Sequence, residues 1–177
     1  MSQSATLYRI SKDNFELYKN SNAGLQFKIS SAKNYIVING TFMGLEYILS
    51  KGLGDSAVEL IKEIFNPTTT IVPQNFESLS IEAKCHLYEN GNVIPYLDII
   101  TISKLNSILT NLTESDLQLI YNANEFNEAG IYPQAWSTNN SPNEAFNVIH
   151  LKDDFIALKE IIQHAYKEQD YIFIFIG

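Results

Sequence analysis

The sequence predicts an α+β fold: one helix-rich domain over residues 1–177, built around a small mixed β-sheet with the strand 171–176 at its centre. Three observations carry this. Leu, Ile, Val and Phe fill 55 of the 177 positions, ample for a buried core. Apolar residues recur at helical spacing behind recognisable caps along most of the chain. Finally, Tyr171–Ile176 is apolar at every position, the pattern of a strand covered on both faces.

In chain order, residues 5–10 alternate as an opening strand, with Leu7 and Tyr8 on opposite faces. Ser11 caps a short helix carrying Phe15, Leu17 and Tyr18. Residues 20–24 form a turn-rich break, and 35–38 reads either as a strand or as a buried lead-in. Residues 41–50 form a helix with Phe42, Leu45, Ile48 and Leu49 on one face and Gly52 as its stop. Asp55 caps the next helix, where Val58, Ile61, Ile64 and Phe65 recur until Asn66-Pro67 ends it. A brief β-rich stretch follows at 68–72. Asn90-Gly91 suits a two-residue type I′ turn, so 84–89 and 92–97 read as a hairpin. Asp98 stands as N-cap before Ile99, Ile102, Leu105, Ile108 and Leu109. Thr113-Glu114-Ser115-Asp116 starts another helix, its acids matching the helix dipole. A further short helix at 124–129 is closed by Gly130, and 131–136 is an aromatic loop broken by Pro133. Ser141-Pro142-Asn143-Glu144 joins a capping box to a proline at the first helical position, which predicts a helix start. That pattern reaches Glu168, either interrupted near Lys152-Asp153 or running through it, with Phe155, Leu158, Ile162, Ala165 and Tyr166 on one stripe.

The formal charge of −8 is unevenly placed. Residues 1–88 hold eight Lys/Arg against eight Asp/Glu, whereas 89–177 hold four lysines against twelve acids. Arg9 is the only arginine. Nucleic-acid binding needs clustered cations and leans on arginine forks, so nucleic acid is not an expected partner. The acidic half instead favours a basic protein partner, with a plain solubility charge as the simpler account. No stretch reaches the ~18 unbroken apolar residues of a membrane span, and residues 1–10 lack a basic-then-apolar leader. These features predict a soluble cytoplasmic domain that engages no membrane.

Catalytic constellations are scarce. No Gly-rich phosphate loop, G-x-S-x-G or H-E-x-x-H is present. Cys85, the single cysteine, excludes a disulfide framework and reads as a small core residue. On the predicted strand it points away from its neighbour His86. His150 and His164 lie about 21 Å apart along a straight helix, too far to share a metal. Asp153 and Asp154 follow His150 at i+3 and i+4, spacing that fits a two-ligand clip or an oriented base but more often a solvated helix face. Glu46, between Leu45 and Tyr47, is either a surface residue or a part-buried acid of raised pKa. Asp98 is explained by capping, with a pocket-facing role as the alternative. Tyr132, Pro133 and the lone Trp136 either close the core with their rings or present interface anchors; core closure is the favoured reading. The glycosylation-type triplets at Asn39 and Asn111 carry no weight without a secretion signal. No metal, cofactor or catalytic residue is assigned, and the reading leans away from an enzyme.

Pro95-Tyr96-Leu97 before a helix, then Gly130-Ile131-Tyr132-Pro133 with Trp136, then a long helix ending in an apolar strand and Gly177, together resemble the YfbM-like family of uncharacterised bacterial proteins. The opening Leu7-Tyr8-Arg9-Ile10-Ser11 and the helix with Leu45, Leu49 and Gly52 are similar to that family too. The resemblance spans nearly the whole chain and is closest over 94–177. It implies a single bacterial α/β-type domain and brings no activity. The family's first helix commonly carries Trp and His where this sequence has Phe42 and Glu46, so no site built on that histidine is carried over.

Three functional expectations result. The first is a non-catalytic binding module whose acidic C-terminal half engages a basic partner, such as a toxin that it neutralises. The second is a small-molecule binder or enzyme with a pocket near Tyr132, Trp136 and Glu46. Self-association through the aromatic loop is a third.

Overall fold

The last strand of the chain slots between the first and the fourth. The computed structural model describes residues 3–21 and 26–177, so the part of the predicted 20–24 break at 22–24 lies outside the described residues. Five strands, β1 (Ser4–Ile10), β2 (Ala32–Asn39), β3 (Thr70–Ile71), β4 (Ile94–Leu97) and β5 (Tyr171–Ile176), form one sheet in the order β2-β1-β5-β4-β3. Strand 171–176 is central, as its unbroken apolar run demands. All four pairings are antiparallel, so the sheet is not mixed. Each strand joins its sheet neighbours in opposite sense because no parallel crossover links them.

The register puts Leu7 opposite Ile174 and Tyr8 opposite Phe173. Period-2 alternation therefore divides the strands between two cores. Ala5, Leu7, Ile38, Leu97, Ile172 and Ile174 join the larger core. Helices α2 (Phe42–Ser50), α3 (Asp55–Lys62), α5 (Ile99–Thr110), α6 (Glu114–Ile120), α7 (Ala123–Glu128) and α8 (Val148–Glu168) contribute to that same core. On the other face, Ile10, Ile94 and Phe173 meet Phe15 and Tyr18 of α1 (Lys12–Lys19) in an aromatic layer. There the Phe15 ring stacks on Tyr171 with centroids 3.6 Å apart.

Local caps hold most helices where the sequence places them. Ser11 accepts from the Asn14 amide, Asp98 from the Thr101 amide at 2.7 Å, and Thr113 with Asp116 closes a capping box. At α3 the cap is Gly54, and Asp55 is the first helical residue.

Four expectations are corrected. Residues 84–89 are not a hairpin strand but belong to a helix, α4 (Ile81–Glu89), started by Ser80. Gly91, at φ +67, serves as the left-handed residue after that helix, with Gly91 N–H donating to Tyr88 and Asn92 N–H to Leu87. This is a Schellman ending: Asn-Gly supplies the positive φ that a type I′ turn and a helix stop both need, so the dipeptide does not distinguish them. No residue of α4 is buried, and Cys85 is exposed, not a core residue. The long helix begins at Val148, not at Ser141, and runs unbroken through Lys152-Asp153. Tyr166 is 43% exposed, and Ile161 takes its place on the buried stripe.

Candidate functional site

Asn147 sets the start of α8 and so fixes its functional side chains. It is fully buried. Its Oδ1 accepts from the amides of Ile149 and His150, and its Nδ2 donates to the carbonyls of Asn139, Ser141 and Glu144 at 2.8–3.0 Å. One side chain thus caps the helix and ties down the preceding turn, overriding the start signal at Ser141.

From that start, His150, Asp153 and Asp154 project from the first two turns of α8. They meet Asn39 at the end of β2, Thr41 at the start of α2, and Phe146, lining a cleft of about 390 Å³. Thr41 is 3% exposed, and its hydroxyl donates to Oδ2 of Asp154. Burial raises the Asp154 carboxyl above its ordinary value, while the Thr41 hydroxyl and the charge of His150 pull it back. Asp153 is exposed. Among the described residues no Lys or Arg forms an ion pair with either aspartate, since Lys152 reaches Gln118 instead. No described group of three or more His, Cys, Asp or Glu is placed to hold a metal ion. The cleft is an acidic surface that can accept a cationic group by charge and hydrogen bonds.

The aromatic loop lies elsewhere. Trp136 is buried; its indole N–H donates to the Ile131 carbonyl at 3.1 Å, and its ring meets Phe126 edge-on at 5.0 Å. Asn127 clasps its backbone on both sides, donating to the carbonyl and accepting from the amide. Trp136 therefore closes the core and is not exposed as an anchor. Tyr132 and Pro133 are half-buried. Edge-on to the Trp136 ring, Tyr121 donates to the Ser137 carbonyl at 2.8 Å, and burial pushes its phenol up to about 12.

Glu46 is half-buried, not a surface residue. It lines a groove of about 460 Å³ between α2 and α3, together with Phe42, Met43, Val58, Lys62 and Ile131. Burial raises its carboxyl, and the Lys62 charge draws it part of the way back. Ile131 brings the start of the aromatic loop to this groove, whereas Tyr132 and Trp136 do not line it. Asp98 caps α5.

Sequence reasoning did not find Thr41, Asn39, Phe146 or Lys62 as site residues. Thr41 and Asp154 are 113 positions apart, a distance no spacing motif spans. A second network also went unseen: Glu125 accepts from Tyr47 and Lys51, each at 2.7 Å, and those two bonds hold its carboxyl below the ordinary range.

Comparison with known proteins agrees with this architecture. The crystal structure of YfbM from Escherichia coli, a protein of unknown function, matches with a TM-score of 0.60 and 11% identity, covering 100% of both chains. At that identity the likeness concerns the fold alone. No curated protein matches the sequence. The family model "Domain of unknown function (DUF1877)" matches residues 1–175, nearly the entire chain. The chain belongs to the DUF1877 family.

Proposed function

We propose that the protein is a non-catalytic binding module that engages a basic protein partner through its acidic C-terminal half, with the cleft of His150, Asp153 and Asp154 as the focus. The observation that supports this most directly is the adjacent aspartates in an open cleft with no described Lys or Arg paired to them. A lysine or arginine from a partner supplies the missing counter-charge and donors. A basic toxin held in a neutral complex is one such partner.

The test compares the wild-type chain with the Asp153→Asn/Asp154→Asn double variant as baits in an extract of the native host. A basic protein is expected at one-to-one stoichiometry with wild type, weakened at high ionic strength and lost with the variant. Equal capture by both baits, or no stoichiometric partner for either, overturns the proposal.

A second reading, a small-molecule binder, draws on the groove that Glu46 and Ile131 both line. Its apolar walls and volume fall in the range of ligand sites. Displacement of a bound metabolite by the chain purified without denaturation, read by mass spectrometry, tests this reading; a ligand-free chain from its own host counts against it.

A further inference from the structure

The groove between α2 and α3 is walled by Phe42, Met43, Val58, Phe65 and Ile131. Against that apolar wall stands one carboxylate, Glu46, half removed from water. No described residue donates a hydrogen bond to it. The neighbouring cation, Lys62, acts on Glu46 through its charge, while its ammonium hydrogen-bonds Glu59 at 2.7 Å. Tyr47, next in sequence, gives its single hydroxyl proton to Glu125 and is unavailable. A part-buried carboxylate without donors is costly, and such groups are ordinarily paired and hydrogen-bonded.

We propose that this groove binds a small amphiphilic amine, its ammonium on the Glu46 carboxylate and its apolar body against Phe42, Met43, Val58 and Ile131. The inference rests on the small-molecule reading and names its ligand class. An ammonium offers three donors and the opposite charge, and an apolar body removes from water the wall that the groove leaves open. A carboxylate ligand meets like charge at Glu46, and a neutral alcohol offers one donor with no charge.

The probes are phenethylamine, 2-phenylethanol and 3-phenylpropanoate, which share an aromatic body and differ in head group. Binding is followed by calorimetry and by amide shifts in the full chain. Phenethylamine is expected to give saturable shifts along Phe42–Ser50 and Asp55–Lys62 and to bind about tenfold more tightly than the alcohol. Glu46→Gln is expected to remove that tenfold preference without lowering the melting temperature. Val58→Phe, which fills the groove without touching the carboxylate, is expected to abolish the shifts. If the alcohol or the acid binds as tightly as the amine, or Glu46→Gln binds the amine undiminished, the amine assignment falls while the groove stands as a small-molecule site. If none of the three compounds shifts the groove amides, both readings of it fall.

Discussion

At Gly44 the backbone of α2 approaches the ring of Trp136 so closely that an added Cβ would overlap carbons Cη2 and Cζ2. The ring has no room to retreat, because Phe126 and Phe146 meet it edge-on at 5.0 and 6.0 Å. Gly44→Ala is therefore expected to cost about 1–3 kcal/mol by overpacking and to red-shift the tryptophan emission, both read in urea unfolding followed by fluorescence. Asp154 makes a pH-dependent prediction. Its carboxyl titrates above the ordinary aspartate value of 3.8 because burial penalises its charge. The folded state thus holds that proton more tightly than the unfolded chain. Its stabilisation is complete below the unfolded pKa and is lost as pH rises through the folded one. Asp154→Asn, neutral throughout, is expected to be more stable than wild type at pH 7, with the gap closing toward about pH 4 in a series of denaturant titrations. A wild-type advantage at neutral pH would contradict this. Of these two sites, the sequence hints only at the second: the His150, Asp153, Asp154 spacing is visible, but the Thr41 hydroxyl that covers Asp154 is not.

Among the elements, α8 depends most on one residue. Asn147→Ala removes the cap of the helix and the donor of three carbonyls at once. A lost cap costs about 1 kcal/mol and buried groups left unpaired add about 1–3 kcal/mol, so a loss of roughly 2–4 kcal/mol is expected in chemical denaturation. Because α8 carries His150, Asp153 and Asp154, the same change is expected to loosen the cleft, seen as faster amide exchange at 148–154. The case also shows what local reasoning can reach. Ser11, Asp98 and Thr113 cap helices as read, since each cap is a contact over three residues. Asn147 was hidden because a serine–proline–glutamate signal six residues earlier satisfies the same local rule, and only burial of the asparagine decides between them. The hairpin expected at 84–97 failed for a related reason. The exposed helix α4 has no apolar face to betray its period, and the Asn-Gly that follows fits either ending.

For the whole molecule, much of the acidic surplus serves architecture. Asp98 and Asp116 cap helices, Glu125 pairs with Lys51, and the buried Asp170 faces Lys33 at 2.9 Å and Arg9 at 3.6 Å. Arg9, Lys33 and Lys51 of the balanced N-terminal half are thereby paired with acids of the other half, and the first two tighten the join between the first two strands and the end of α8. Asp153 remains outside these pairs, which is why the binding proposal centres on its cleft. The sheet separates the two cores, and Phe173 stands in the smaller, aromatic one, fully buried, with Tyr18 and Phe27 against its ring. Phe173→Ala is expected to cost about 3–5 kcal/mol and to shift one cooperative transition seen alike by far-UV signal and tryptophan emission, not to melt the aromatic layer alone. Two separated transitions would show that the layers fold independently. The strand order has a consequence for synthesis. The ribbons β1–β2 and β3–β4 meet only through β5. On the ribosome, a nascent chain therefore carries two unjoined ribbons with their inner edges open until residues 171–176 clear the exit tunnel, and through that interval those edges are free to mispair with each other or with a neighbour's.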